Sequence, residues 1–166
     1  MTIPEINKLI EQHRYEEAFA GCEKLLLEAP EQNVEILRTR AYGYARSGDY
    51  PKAVRDYETI INSSNAEMRD YYLAAYHALH PQQFLKAEKW FLEVLRQGEE
   101  QRNDYFLTAT LFYLSYIQMQ KGEYDEAIRY LDEAALHETD VSMPLPEVLM
   151  CTSESLRSEI KRRAKL

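Results

Sequence analysis

The feature that constrains this chain most is an aromatic residue followed three positions later by alanine, which occurs four times. The four pairs begin 35, 34 and 40 residues apart. Downstream of each alanine, apolar residues recur mainly at offsets of one, four, seven and eight, which is the pattern of a helix with one buried side. A period near 34 residues indicates repeated supersecondary units that bury their apolar faces against neighbours. The pairs are Tyr15 and Ala18, Tyr50 and Ala53, Phe84 and Ala87, and Tyr124 and Ala127.

Turn signals place a second helix ahead of each aromatic residue. Gly48 and Gly122 come two residues before Tyr50 and Tyr124, where a residue in the left-handed region ends a helix. In the third copy Pro81 ends the helix instead, because the residue before a proline is driven out of the helical region. At the start of the chain, Thr2 and the glutamate three residues later predict a capping box. Each copy is therefore a helix-turn-helix unit.

The segments from Gly48 to Ala53 and from Gly122 to Ala127 resemble the tetratricopeptide repeat family, whose unit has a Gly-acid-Tyr turn and an alanine three residues later. The resemblance covers about residues 1–141. His13 and Gln82 depart from it, because they stand where the other two copies have the turn glycine. The resemblance implies an all-α, right-handed superhelical solenoid of about four helix-turn-helix repeats with a C-terminal capping helix.

We expect one domain of four repeats. The longer spacing before the fourth copy predicts either a longer loop around residues 98–103 or a first helix that starts early, near Asn103. After the fourth copy, residues 142–146 predict a linker with two prolines, and a helix with one apolar side then caps the array. The predicted repeats are residues 1–33, 34–67, 68–107 and 108–141, with the capping helix over about 145–164.

Composition narrows the classes of function. A formal net charge of -8 argues against general affinity for nucleic acid, which needs clustered Lys and Arg. The chain has no run of about 18 apolar residues and no signal peptide at its start, so we expect no membrane association and a cytoplasmic location. The two cysteines, Cys22 and Cys151, fit a reducing compartment and are too few for a disulfide framework.

In the tetratricopeptide family the first helix of each repeat lines a concave groove. The resemblance therefore implies a groove rich in tyrosine with arginines at one end. Tyr and Arg dominate binding hot spots, and such a surface favours a protein partner. The implied partner-binding residues are Arg38, Tyr42, Arg46, Arg69, Tyr72, Tyr76, His80, Phe112, Tyr113, Tyr116, Met119 and Gln120. Some of these tyrosines could instead pack between helices as core.

The predicted function is protein binding by an adaptor or regulatory protein. A dedicated inhibitor or immunity protein is an alternative, since the acidic ends of the array suit a basic target. A secretion chaperone of similar length is a further alternative. Co-chaperones of this family that hold acidic chaperone tails use an asparagine where this chain has Tyr42, Tyr76 and Tyr116, so we do not expect capture of such a tail.

We expect no enzyme activity, cofactor or metal. No phosphate-binding loop, dinucleotide fingerprint or zinc-protease motif occurs in the sequence. His77 and His80 lie one helical turn apart, but a zinc site needs three or four ligands. Cys22 falls on the apolar side of its helix and is expected to be an inert core residue. The basic run Lys161–Lys165 suits the C-terminus of a helix.

Overall fold

The computed structural model describes residues 1–138 and 140–165, and it confirms the helix-turn-helix repeats. The chain divides into two compact units, an N-terminal unit of residues 1–81 and a C-terminal unit that starts at Gln82. The N-terminal unit contains α1 (Ile3–Glu11), α2 (Tyr15–Glu28), a 3-10 turn (Pro30–Gln32), α3 (Asn33–Arg46), α4 (Tyr50–Ile61) and α5 (Met68–Leu79). The C-terminal unit contains α6 (Phe84–Gln101), α7 (Leu107–Lys121), α8 (Tyr124–Ala135), β1 (Ser142–Leu145), β2 (Val148–Thr152) and α9 (Ser153–Ala164).

The start of the N-terminal unit follows the sequence prediction closely. Thr2 caps α1: its hydroxyl accepts from the Glu5 amide at 3.5 Å, and the Glu5 carboxylate accepts from the Thr2 amide at 2.6 Å. This capping box satisfies two amides that the helix itself cannot pair. Below it, apolar side chains from α1, α2 and α3 form the buried core of the first repeat. Its buried members are Ile6, Ile10, Ala18, Cys22 and Ile36.

The turns between paired helices share one backbone conformation despite their different residues. Gly48 and Gly122 have φ values of 83° and 82°, as predicted. His13 and Gln82, which replace glycine in the first and third copies, are also left-handed, with φ values of 59° and 56°. Because a side chain is strained in this region, the repeat geometry imposes the conformation that glycine adopts freely.

The extra residues before the fourth repeat lengthen a different helix from the one predicted. Neither a long loop nor an early start of α7 is present; instead α6 continues to Gln101, where Arg102 turns left-handed with φ 52°. Arg96 pairs with Glu93 and with Glu100 on the same side of the helix. Such pairs three and four residues apart stabilise a helix, so they support the additional turn.

The segment after α8 is also different from the prediction. Residues 142–152 form an antiparallel hairpin in place of a linker, with Ser142 opposite Thr152 and Leu145 opposite Val148. The capping helix begins at Ser153, eight residues later than predicted, and the Thr152 hydroxyl accepts from the Ser155 amide to cap it. α9 packs on α8 and α7, and its apolar side is buried at Leu156 and Ile160.

Candidate partner-binding surface

The first helices of the second, third and fourth repeats, α3, α5 and α7, carry the residues predicted to bind a partner. In the N-terminal unit, α3 and α5 are joined by Arg38, which was predicted to face a ligand. Its guanidinium donates to both carboxylate oxygens of Asp70 at 2.9 and 2.7 Å, and it also pairs with Glu35 and Glu67. Arg38 is 9% exposed and Asp70 is fully buried. Arg38 therefore serves to fix α5 against α3.

Asp70 has a second role that explains its burial. Its Oδ2 atom accepts from the Glu67 amide at 2.8 Å, which caps the start of α5. A buried carboxylate needs such bonds because an unpaired charge away from water is strongly unfavourable. The ion pair and the helix cap therefore meet at one side chain.

Three predicted residues of the N-terminal unit are exposed. Tyr42 and Arg46 follow Arg38 at steps of four residues, so they lie on the same side of α3. Tyr42 is 44% exposed. Arg46 and Arg69 are also exposed, and their guanidinium groups have no ion-pair partner among the described residues. These three predicted residues are therefore accessible to a ligand.

Arg69, Tyr72 and Tyr76 follow one another along one stripe of α5, and the two tyrosines are half-buried. Tyr42 and Tyr76 each stand eight residues before the aromatic residue of their repeat, so they occupy equivalent repeat positions. We call the set Tyr42, Arg46, Arg69, Tyr72 and Tyr76 the open surface. His80, at the end of the stripe, stacks on Tyr50 with ring centroids 3.7 Å apart and planes 6° from parallel.

His77 lies one turn before His80 but on the buried side of α5. Its ring is stacked near Tyr50 and Tyr57, with centroids 5.9 Å away in each case, and Tyr76 is at 5.3 Å. Burial, and then the neighbouring His80, lower the pKa of His77 to about 4. His77 is therefore a neutral packing residue near pH 7, and no group of three His, Cys, Asp or Glu in the described chain is arranged to hold a metal ion.

In the C-terminal unit four of the five predicted groove residues are buried, and Gln120 is half-buried. Phe112, Tyr113 and Met119 of α7 are all less than 5% exposed. Tyr113 stacks on Phe91 of α6 with centroids 5.4 Å apart, and Phe112 meets Tyr113 edge to face at 5.8 Å. These side chains are part of the core, as the alternative interpretation of the tyrosines allowed.

Tyr116 is buried because the chain's own C-terminal segment lies over it. Its hydroxyl donates to the two carboxylate oxygens of Glu147, in the hairpin turn, at 2.7 and 2.9 Å. One turn further along α7, the Gln120 side chain accepts from Arg163 of α9 at 3.1 Å. Burial and the bond to Glu147 both raise the pKa of Tyr116. The hairpin and α9 thus occupy the side of α7 that was predicted to receive a partner.

The other residues that the sequence offered as candidates for chemistry have structural roles. Cys22 is fully buried, and burial raises the pKa of its thiol to about 11, so it carries no thiolate near pH 7. At the end of α9, Arg162 and Arg163 both bond to Glu159. Among the described residues, none of the helices combines the length and the apolar character needed to cross a membrane.

Comparison with solved structures decides the fold. MamA superposes with a TM-score of 0.67 at 16% identity, over 95% of this chain and 89% of that one. A putative kinesin light chain from Podosopora anserina with TPR-like repeats gives a TM-score of 0.70 at 12% identity, covering 98% of this chain and 84% of that one. The chain has the tetratricopeptide repeat fold. No protein-family model matches the sequence, and no curated protein matches it significantly.

A further tetratricopeptide structure has the same fold in part of a longer chain. The C-terminal part of a TPR protein from Cytophaga hutchinsonii superposes with a TM-score of 0.69 at 19% identity, over 99% of this chain but only 58% of that one. In the tetratricopeptide frame, Arg38 and Tyr72 stand at one repeat position, and Tyr42, Tyr76 and Tyr116 stand at another. Tyr42 and Arg69 are exposed in the N-terminal unit, whereas Tyr116 is enclosed in the C-terminal unit.

Two contacts of the predicted site residues were not anticipated from the sequence. Asp70 lies among apolar and alanine residues on the buried side of α5, and a lone carboxylate at such a position is a signal that a buried cation faces it. Glu147 gave no usable signal, because its contact with Tyr116 spans 31 residues and depends on the path of the hairpin.

Proposed function

We propose that this chain is a protein-binding module, used as an adaptor or regulatory protein, that receives a segment of one partner on the open surface of its N-terminal unit. Its activity is binding and not catalysis. Tyr42, Arg46 and Arg69 are the residues on which the proposal chiefly rests. Tyr72 and Tyr76 add aromatic area beside them.

One observation carries the proposal: the Arg38–Asp70 bond holds α3 against α5 and leaves Tyr42, Arg46 and Arg69 exposed on those two helices. A tyrosine ring offers a large rigid face with little entropy to lose on binding, and a guanidinium offers a planar set of donors. Because the scaffold under them is fixed by a buried bidentate bond, the binding groups are preorganised.

The proposed site is smaller than the set expected from the sequence. Arg38 is committed to Asp70, and the α7 residues Phe112, Tyr113, Tyr116, Met119 and Gln120 are covered or bonded within the C-terminal unit. His80 lies at the margin of the surface because its ring face is stacked on Tyr50. We therefore restrict the contact area to the five residues of the open surface.

The test is site-specific photo-crosslinking from the open surface. A photoreactive phenylalanine is placed at Tyr42 in one variant and at Tyr105 in another, and each is irradiated in extract of the native cell. Tyr105 is the matched control, because it is an 82% exposed tyrosine outside the open surface. Both variants are first checked for wild-type helicity and for an unchanged urea midpoint.

We expect one protein to be crosslinked through position 42 and to be absent at position 105. Its identity then distinguishes an adaptor from an inhibitor or a secretion chaperone. Equal crosslinking at both positions, or crosslinking at position 105 alone, would overturn the assignment of the open surface.

A further inference from the structure

Three adjacent apolar side chains are exposed on the outer strand of the hairpin. Val148, Leu149 and Met150 are 49%, 90% and 58% exposed. Leu149 and Met150 stand opposite the single residue Pro144, so β2 carries a bulge there. Elsewhere in the part of the chain that the structure describes, each exposed large apolar side chain stands apart from the next in sequence. We call Val148, Leu149 and Met150 the apolar tip, because they directly follow the turn.

A basic segment ends α9. Residues 161–165, which we call the basic end, contain four cations in five positions, and all four are exposed. Arg162 and Arg163 share one carboxylate, that of Glu159. Lys161 and Lys165 have no ion-pair partner among residues 1–138 and 140–165. On a chain whose net charge is -8, the basic end is a local excess of positive charge.

Two contacts with α7 place the apolar tip and the basic end side by side. Glu147, just before Val148, accepts from the Tyr116 hydroxyl, and Arg163 donates to Gln120, four residues after Tyr116. Four residues span about 6 Å of a helix. The five-residue β2 leads away from the turn over about 16 Å, and the twelve-residue α9 returns over about 18 Å. Apolar and positive groups therefore meet at one end of the C-terminal unit.

We propose that the apolar tip and the basic end form a peripheral binding surface for an anionic lipid membrane. Leu149 and its neighbours enter the headgroup layer, and Lys161 and Lys165 contact acidic headgroups. Binding at a lipid interface grows with the apolar area buried and with attraction to anionic lipids, so the two features act together. A fluid headgroup layer accepts a protruding side chain without a complementary pocket, which favours lipid over a protein partner.

This surface belongs to the C-terminal unit alone and does not depend on the open surface. It departs from the expectation of no membrane association, which was based on the lack of a spanning segment and of a signal peptide. A peripheral surface needs neither, because the fold assembles it from the hairpin and α9. The described helices include none that could cross a membrane, so contact would be limited to the lipid surface.

The first test is flotation of the full chain with lipid vesicles. One set of vesicles is pure phosphatidylcholine, and the other also contains phosphatidylglycerol, which is negatively charged. We expect the chain to float with the anionic vesicles and to bind the neutral ones at least about tenfold more weakly. Raising the salt from about 0.1 M to about 1 M shortens the screening length from about 10 Å to about 3 Å and should release the chain.

Matched substitutions locate the surface. Leu149→Ser is expected to weaken binding to anionic vesicles about tenfold, because a leucine no longer leaves water. Leu136→Ser is its control, since Leu136 is an 82% exposed leucine of the same unit outside the tip. Lys161→Gln should weaken binding about fivefold, whereas Lys89→Gln, at an exposed lysine of α6, should change nothing. Wild-type helicity and urea midpoints are checked first.

A dye that responds to polarity reports insertion directly. It is attached through Leu149→Cys in one variant and Leu136→Cys in another, both with Cys151→Ser. Cys22 does not compete for the dye because it is fully buried. We expect anionic vesicles to raise the fluorescence at position 149 and to leave that at position 136 unchanged.

Three outcomes would each overturn the lipid surface: no binding to anionic vesicles, equal binding to neutral ones, or unchanged binding by Leu149→Ser. A protein captured from extract through Leu149, with no vesicle binding, would also overturn it and assign the tip to a protein partner. Failure of crosslinking at Tyr42 leaves these results unaffected, because the open surface lies in the N-terminal unit.

Discussion

Tyr42 and Tyr116 occupy the same repeat position and have opposite environments. Tyr42 is exposed on α3 and its hydroxyl is unbonded within the described chain, whereas Tyr116 is 1% exposed and bonded to Glu147. The helices that carry them are alike in length and place within the repeat. The difference lies in the hairpin and α9, which follow only the last repeat. A repeat position is therefore open or closed according to the segment that covers it.

The units also differ in where their strong charge pairs lie. The N-terminal unit buries Arg38 with Asp70, whereas in the C-terminal unit Arg157 pairs with Asp132 at the surface. Exposed pairs contribute little because water and salt screen them, while breaking a buried pair leaves a charge without compensation. The buried Arg38–Asp70 pair fixes the scaffold under the open surface.

The largest expected effect is that of Asp70→Asn. Loss of the carboxylate leaves the buried guanidinium of Arg38 with only its exposed partners, so we expect the free energy of unfolding to fall by about 3 kcal/mol. The measurement is urea unfolding followed by circular dichroism. Asp132→Asn is the control, with an expected loss below about 1 kcal/mol. Equal losses in the two variants would refute the difference between the units.

A second prediction concerns acid. The pKa of His77 is lowered to about 4 in the folded chain, so the unfolded chain, with its pKa near 6.5, binds the proton more readily. Stability is therefore full above pH 6.5 and falls as the pH drops towards 4. Between pH 7 and 5 we expect a loss of about 2 kcal/mol.

His77→Gln removes this titration and should flatten the dependence of the urea midpoint on pH. At pH 7 neither folded chain carries a charge at position 77, so the urea midpoints of the two chains at that pH are the reference for the comparison. A slope that stays unchanged in the glutamine variant would show that His77 is not the group responsible.

The third prediction compares the two tyrosines directly. Tyr116→Phe removes the bond to Glu147 and should lower the free energy of unfolding by about 1 kcal/mol. Tyr42→Phe removes a hydroxyl that has no partner within the described residues, so its effect should be near zero. Thermal and urea unfolding of both variants measure the difference. A cost at position 42 as large as that at position 116 would contradict the description of the open surface.

The smallest effects are expected at the turns. Gly122→Ala places a side chain in the left-handed region and should cost about 1 kcal/mol; the cost arises from the backbone alone, because an added Cβ atom meets nothing within 4 Å. Gln82→Gly should stabilise by less than about 1 kcal/mol, since it removes existing strain. Unfolding midpoints of the two variants should move in opposite directions.

The repeats were predictable because their determinants are local. The aromatic and alanine pairs, the turn glycines and the Thr2 cap act within a few residues of each other, and even the substituted turns at His13 and Gln82 follow the pattern. The hairpin was not predicted, because two prolines within residues 142–146 suggest an irregular linker, and its strands are only four and five residues long.

The candidate site was predictable only in part, for a physical reason. Helix position indicates which way Tyr42, Arg46 and Arg69 point, and this direction is enough when nothing covers them. Exposure of Tyr116 depends on Glu147 and α9, which reach it from distant parts of the sequence. Periodicity also could not show that Arg38 would be satisfied by Asp70 from the next repeat.

The central claim is that one repeat position is open at Tyr42 and closed at Tyr116. Hydroxyl-radical footprinting of the folded chain, read by mass spectrometry, tests it most directly, because the rate of oxidation of a tyrosine follows its exposure. We predict rapid labelling of Tyr42, protection of Tyr116 until the chain unfolds, and protection of Tyr42 once a captured partner is bound. Labelling of Tyr116 as fast as Tyr42 in the free chain would contradict the account.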